Sequence, residues 1–102
     1  MDIVTDRLGR DIRLTEERWS YIIRHHPEMT NLKREFRSTV SEPDLVVRSV
    51  YNPEVVLYYR YFKIIFDGKY LVGVIKLSTD SFVLTGYVAD RIKEGEVLWK
   101  KD

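Results

Sequence analysis

The chain has no cysteine. That absence removes a disulfide framework, a thiolate metal site and a cysteine nucleophile together. With three prolines and five glycines there is no low-complexity or linker segment. Long apolar runs are also missing. The stretches that come nearest are broken by Arg60, Lys63 and Lys76, so none suits a membrane span. Neither sign of charge dominates: the net charge is +1, which argues against tight general binding of nucleic acid through many phosphates. A small cationic pocket remains compatible with that balance. The opening MDIVTDRLGRDIRLT alternates acid and base and lacks the cationic start and apolar block of a signal peptide, so a cytoplasmic location is expected. No HExxH, Walker-type loop, GxGxxG or GxSxG occurs. His25 and His26 are adjacent and cannot grip a metal as an i,i+4 pair would, so no metal and no cofactor is expected.

What is present fits one globular domain, residues 1–102. Aromatics at 13% and the low net charge argue against disorder. Residues 3–14 read as an extended lead-in with a turn at Gly9. A helix starts after Thr15, a good N-cap followed by Glu16 and Glu17 at the positive end of the helix dipole. Trp19, Ile22 and Ile23 give it one apolar stripe, and Pro27 ends it at His26. A second helix with Thr30 or Asn31 as N-cap carries Leu32, Phe36 and Val40 on its inner face. Strands are expected at Leu45–Tyr51, Val55–Phe66, Tyr70–Leu77 and Phe82–Ala89, with Val97–Lys100 as an added edge. Asp67–Gly68 signals a tight two-residue hairpin turn. Helices first and a meander afterwards imply an α+β fold, with N-terminal helices packed on a four-stranded or slightly larger antiparallel sheet.

Three polar groups interrupt this apolar frame: Arg24, His25 and His26 before Pro27; Tyr58, Tyr59 and Arg60; and the pair Thr85 and Tyr87. Strand alternation puts Thr85, Tyr87, Val83 and Ala89 on one face and Phe82, Leu84, Gly86 and Val88 on the other. Gly86 then lets a helix approach closely. Each residue also has an ordinary structural reading. His26 suits a helix C-terminus, Arg60 an ion pair, and the tyrosines strand packing. Lys76 is the single charge within the third strand. Taken together, a histidine, an arginine, a threonine and a tyrosine are the parts needed to move a proton and hold a phosphate without a metal.

In order along the chain, IRLTEERWSYIIRHHPEM (12–29), SEPDLVVRS (41–49), YYR (58–60), LVGVIKL (71–77), FVLTGYVA (82–89) and GEVLW (95–99) resemble the phage-type barnase–EndoU–colicin–RelE-like (BECR) nuclease families. The resemblance covers most of the domain. It implies a BECR, RelE-like scaffold and a metal-independent endoribonuclease acting on tRNA, mRNA or another structured RNA. A toxin role, neutralised by an antitoxin or immunity protein, goes with it. It assigns His26, Arg60, Thr85 and Tyr87 as catalytic and converging on one patch. Tyr21, Arg24, His25, Tyr58 and Lys76 are expected around the substrate. One position departs from the pattern: relatives often carry a second histidine two residues after the helix tryptophan, where this chain has Tyr21. That departure keeps a second reading open, a non-catalytic RNA- or protein-binding domain on the same scaffold.

Overall fold

The computed structural model describes residues 2–102. Its strands are β1 (Asp2–Thr5), β2 (Asp11–Leu14), β3 (Leu45–Arg48), β4 (Val55–Phe62), β5 (Lys69–Lys76), β6 (Phe82–Ala89) and β7 (Glu96–Lys100). Helices α1 (Glu16–His25) and α2 (Lys33–Ser41) lie between β2 and β3, joined through a short 3-10 turn at Pro27–Met29. The fold is α+β. The sheet has seven strands in the order β1-β2-β6-β5-β4-β3-β7, more than the four expected. It is also mixed, because β2 runs parallel to β6. The extra strands come from the lead-in, which is a β1–β2 hairpin rather than a single extended segment. Arg13 joins that hairpin to the sheet by donating its backbone N–H to the Ser81 carbonyl at 3.0 Å.

Helix α1 starts where its cap dictates. The Thr15 hydroxyl accepts from the Arg18 N–H at 3.0 Å, satisfying an otherwise orphan donor of the first turn. Helix α2 starts later than expected, at Lys33 after Leu32, with no side-chain cap. Thr30 spends its hydroxyl on the Pro27 carbonyl at 2.7 Å, and Asn31 takes a left-handed φ of 67°, so neither caps the helix.

Both helices pack on one face of the sheet. Ile22, Met29, Phe36 and Val40 meet Val56, Tyr58, Leu71, Ile75 and Val83 in the main core. Gly73 and Gly86 face each other across β5 and β6, and the Phe36 ring fills the space above both. A methyl on Gly86 would lie 2.6 Å from Phe36 Cε1, so the close helix approach expected at Gly86 is present.

Strand alternation fails at one point. Val74 pairs with Thr85 but Ile75 with Val83, so the register shifts and Leu84 is the extra residue. Val83 therefore turns into the core instead of sharing the face of Thr85. The Asp67–Gly68 reversal is also wider than expected. Phe62 is the last β4 residue to pair, with Lys69, because Ile65 leaves the ladder and buries itself in the main core. Phe66, Asp67 and Gly68 then take positive φ values of 46°, 62° and 103°. Strand β3 stops at Arg48 rather than Tyr51, ahead of a turn in which Asn52 Oδ1 accepts from the Glu54 N–H at 2.9 Å.

The β1–β2 turn is fixed by a buried polar cluster. The Asp6 carboxylate accepts from the Arg10 side chain at 2.7 Å, from two backbone N–H groups and from the Tyr58 hydroxyl at 2.5 Å. Burial pushes the Asp6 carboxyl up, but the hydrogen bonds from Tyr58 and Arg10 outweigh it and hold the group below its usual value. The Tyr58 phenol is pushed well up by burial and by its bond to Asp6.

Candidate functional site

The face of the sheet away from the helices carries a second, smaller apolar cluster. Val47, Leu57, Tyr59 and Val72 are buried there, with Val74, Tyr87 and Ala89 packed against them. Register fixes the faces. Tyr87 stands opposite Val72, which stands opposite Tyr59, while Thr85 stands opposite Val74, which stands opposite Leu57. Thr85 and Tyr87 thus share the helix-free face. A groove of about 630 Å³ opens there, with Leu57, Val74, Thr85 and Tyr87 on its floor and Tyr51, Lys93 and Glu94 on its walls. That size is typical of small-ligand sites.

The segment after β6 builds one wall. Tyr59 Oη accepts from the Lys93 backbone N–H at 3.0 Å, which pins this loop over the sheet. Burial raises the Tyr59 phenol above its ordinary value, and the Lys93 N–H only partly offsets this. Gly95 allows the chain to return to β7, since a Cβ there would lie 2.3 Å from the Arg48 carbonyl oxygen. The Lys93 ammonium lies 5.5 Å from the Tyr87 ring centroid, within cation–π range.

His26 reaches the same tyrosine from the end of α1. Its ring centroid is 5.7 Å from that of Tyr87, and its side chain is about one-third exposed. His26 Nδ1 lies 3.6 Å from Glu28 Oε2. The same carboxylate oxygen is 3.5 Å from the Val88 backbone nitrogen, so Glu28 bridges the 3-10 turn and β6. The Tyr87 hydroxyl is shielded from solvent and has no hydrogen-bond partner among the described residues. A buried polar group left without a partner is costly and uncommon in a folded chain.

Of the nine expected site residues, the structure places Thr85 and Tyr87 in the groove and His26 beside Tyr87, outside the groove's lining. Arg60 is elsewhere, and the expected convergence of Arg60 with Thr85 is corrected. Arg60 stands opposite Leu71, which stands opposite Val88, on the helix face. Its Nη1 donates to Ser38 Oγ and to the Glu42 carbonyl, each at 3.3 Å. Tyr58 is also on the helix face and fully buried, held by Asp6 and Arg10. It cannot reach a ligand, so its expected substrate role is replaced by a structural one. Tyr21 and His25 stack on each other along α1, 4.1 Å between centroids. His25 Nδ1 points at the Tyr21 carbonyl at 2.9 Å, so that nitrogen carries the proton. Neither lines the groove, and Arg24 is an exposed residue in the last turn of α1. Lys76 is at the end of β5, 3.4 Å from Glu54 Oε1.

Comparison with family models, curated proteins and solved structures returns no match. Lys93 and Glu94 in the groove, and Glu28 beside His26, are the charges that sequence reasoning missed. Glu28 stands in the HPEM segment and had a signal there. Lys93 and Glu94 sit in an aperiodic loop and had none. Among the described residues no three His, Cys, Asp or Glu side chains cluster as metal ligands would, and no helix is long and apolar enough to cross a membrane.

Proposed function

We propose that the groove on the helix-free face binds RNA and cleaves it by attack of the ribose 2′-OH on the adjacent phosphorus. The observation that carries this reading is the Tyr87 ring with His26 near it at 5.7 Å and Lys93 over it at 5.5 Å, beside Thr85. An imidazole, a cation, a hydroxyl and an aromatic ring are the groups such a reaction uses.

In this mechanism His26 takes the 2′-OH proton, and Glu28 steadies the imidazolium that forms. The O2′–P bond forms as the P–O5′ bond breaks. The leaving oxygen takes that proton from the His26 imidazolium through water and departs as a 5′-OH, and the other product carries a 2′,3′-cyclic phosphate. Lys93 offsets charge gathering on the phosphate, and Thr85 donates to one of its oxygens. Tyr87 offers its ring for stacking a base. Arg60 has no part in this version of the site. A BECR, RelE-like nuclease of this kind would act on tRNA, mRNA or another structured RNA in the cytoplasm. As a toxin, it would be held by an antitoxin or immunity protein.

The test is incubation with total RNA in EDTA, followed by mapping of the ends. Cyclic phosphate and 5′-OH ends are expected, with DNA left intact for want of a 2′-OH. A second reading, an RNA- or protein-binding domain without catalysis, draws on the separation of Arg60 from the groove. RNA left whole at high protein across about pH 5 to 9, where an imidazole passes through both charge states, would favour it. Slowed host growth on expression would favour the toxin.

A further inference from the structure

A second concave site opens elsewhere on the molecule, and its chemistry is different. Arg7, from the β1–β2 turn, Arg60, from β4, and Lys100 and Lys101, at the end of β7, line a cleft of about 460 Å³. Trp99 forms part of its wall, and the Arg7 guanidinium carbon lies 5.1 Å from the Trp99 ring centroid. Two side-chain carboxylates, Glu42 and Asp102, also line it, so four cations face two anions. Among the described residues none of the four cations has a carboxylate oxygen within 4 Å. Lys33, Arg48, Lys69 and Lys76 all have one. Arg18, Arg24, Lys63, Arg91 and Lys93 also lack one among the described residues, but none of these lines the cleft, where four such cations share one concavity.

Arg60 is the organised member. Its Nη1 is engaged by the carboxyl-terminal end of α2 through Ser38 and Glu42, where the helix dipole favours a cation. The guanidinium carbon is 5.3 Å from the Phe62 ring centroid. Nε and Nη2 donate to no group among the described residues. An anchored guanidinium with two free donors suits the oxygens of a phosphate, and its position is fixed before a ligand arrives. Arg7, Lys100 and Lys101 are exposed and add charge around it.

We propose that this cleft is a separate anion site that takes a ligand carrying adjacent phosphate groups. Four cations line the cleft, more than a single phosphate needs for neutralisation. The same chemistry is offered by a nucleic-acid backbone and by a free oligophosphate. The site is independent of the RNA-cleaving reading, since it shares no residue with the groove around Tyr87.

The experiment measures binding of a fluorescent 2′-O-methyl RNA of about ten nucleotides, which lacks the attacking hydroxyl, with inorganic tripolyphosphate as competitor. Arg7→Glu with Lys101→Glu should weaken binding at least tenfold and lower the slope of log K against log salt by about 2, one for each cation withdrawn from the phosphates. Both positions are exposed, so an unchanged melting temperature checks that the variant is folded. Arg60→Gln should weaken binding as well. Lys63→Glu, at an exposed cation outside both the cleft and the groove, should leave binding unchanged. Displacement by tripolyphosphate at equal phosphate concentration would assign the site to oligophosphates at large, and resistance to it would assign the site to the nucleic-acid backbone. Binding that is unchanged in Arg7→Glu/Lys101→Glu, or that Lys63→Glu weakens as much, would overturn the proposal.

Discussion

His26 and Tyr87 come from opposite ends of the sequence and meet with their ring centroids 5.7 Å apart. His25, one residue earlier, is turned along α1 to the Tyr21 carbonyl instead. The two histidines therefore differ in surroundings, and the proposed reaction uses His26 alone. His26→Ala should lower RNA cleavage by about 100-fold or more, the usual scale of general acid–base catalysis, while His25→Ala should change it less than about threefold. Single-turnover cleavage of one defined RNA measures both. Equal losses in the two variants would sink the assignment of His26.

Tyr87 gives a prediction that separates the role of its ring from that of its hydroxyl. Its hydroxyl is buried without a partner, so Tyr87→Phe removes a desolvation cost of about 1 kcal/mol. For a domain of this length that corresponds to a rise of roughly 4–8 °C in melting temperature. Cleavage should change by less than about threefold in the same variant, because the ring that would stack a base is kept. Calorimetry and cleavage kinetics on one preparation read both effects.

The Asp6–Arg10–Tyr58 cluster makes stability depend on pH in one direction. The Asp6 carboxyl is held below the ordinary 3.8. Its contribution is complete above the unfolded value near 3.8 and is lost as pH falls through the lower folded value. Urea midpoints should be level for this group from neutral pH down to about 5 and drop more steeply below about 4. Asp6→Asn should remove that acid limb and cost about 2 kcal/mol at neutral pH, the scale of a hydrogen bond to a charged group. An acid limb that is unchanged in Asp6→Asn would assign it to other carboxylates.

Gly86→Ala should destabilise by about 1–3 kcal/mol, because the new methyl lies 2.6 Å from a Phe36 ring that is fully buried. Phe36→Leu in the same chain should recover part of that loss. Equilibrium urea unfolding of the two single variants and the double variant measures the coupling.

Much of this fold is legible in local chemistry. Thr15, the acidic first turn and Pro27 mark α1, and the apolar run from Phe82 to Ala89 has the bounds of β6. The candidate site is only half legible. Thr85 and Tyr87 share a face by simple alternation, and His26 is tied to them by its place at a helix end. Which face Arg60 takes depends on how β4 pairs with β5, a relation between distant segments that no local pattern carries. Val83 departs from alternation because Leu84 bulges, and a bulge has no reliable signature without its partner strand. Lys93 becomes visible only through the Tyr59 hydroxyl that anchors its loop.

The shift at Leu84 divides β6 into two segments that answer to different neighbours. Upstream, Val83 is set by the core beneath the helices, while downstream Thr85 and Tyr87 face the groove. Removing Leu84 would join the segments into one regular strand with a single alternation. Val83 would then directly precede Thr85, and ordinary alternation would hold Val83 in the core opposite Ile75 and Thr85 over the groove opposite Val74. A one-residue deletion here would therefore keep the inside and outside of both halves of the strand, as would point substitutions at Leu84 itself, whose side chain is only half-buried.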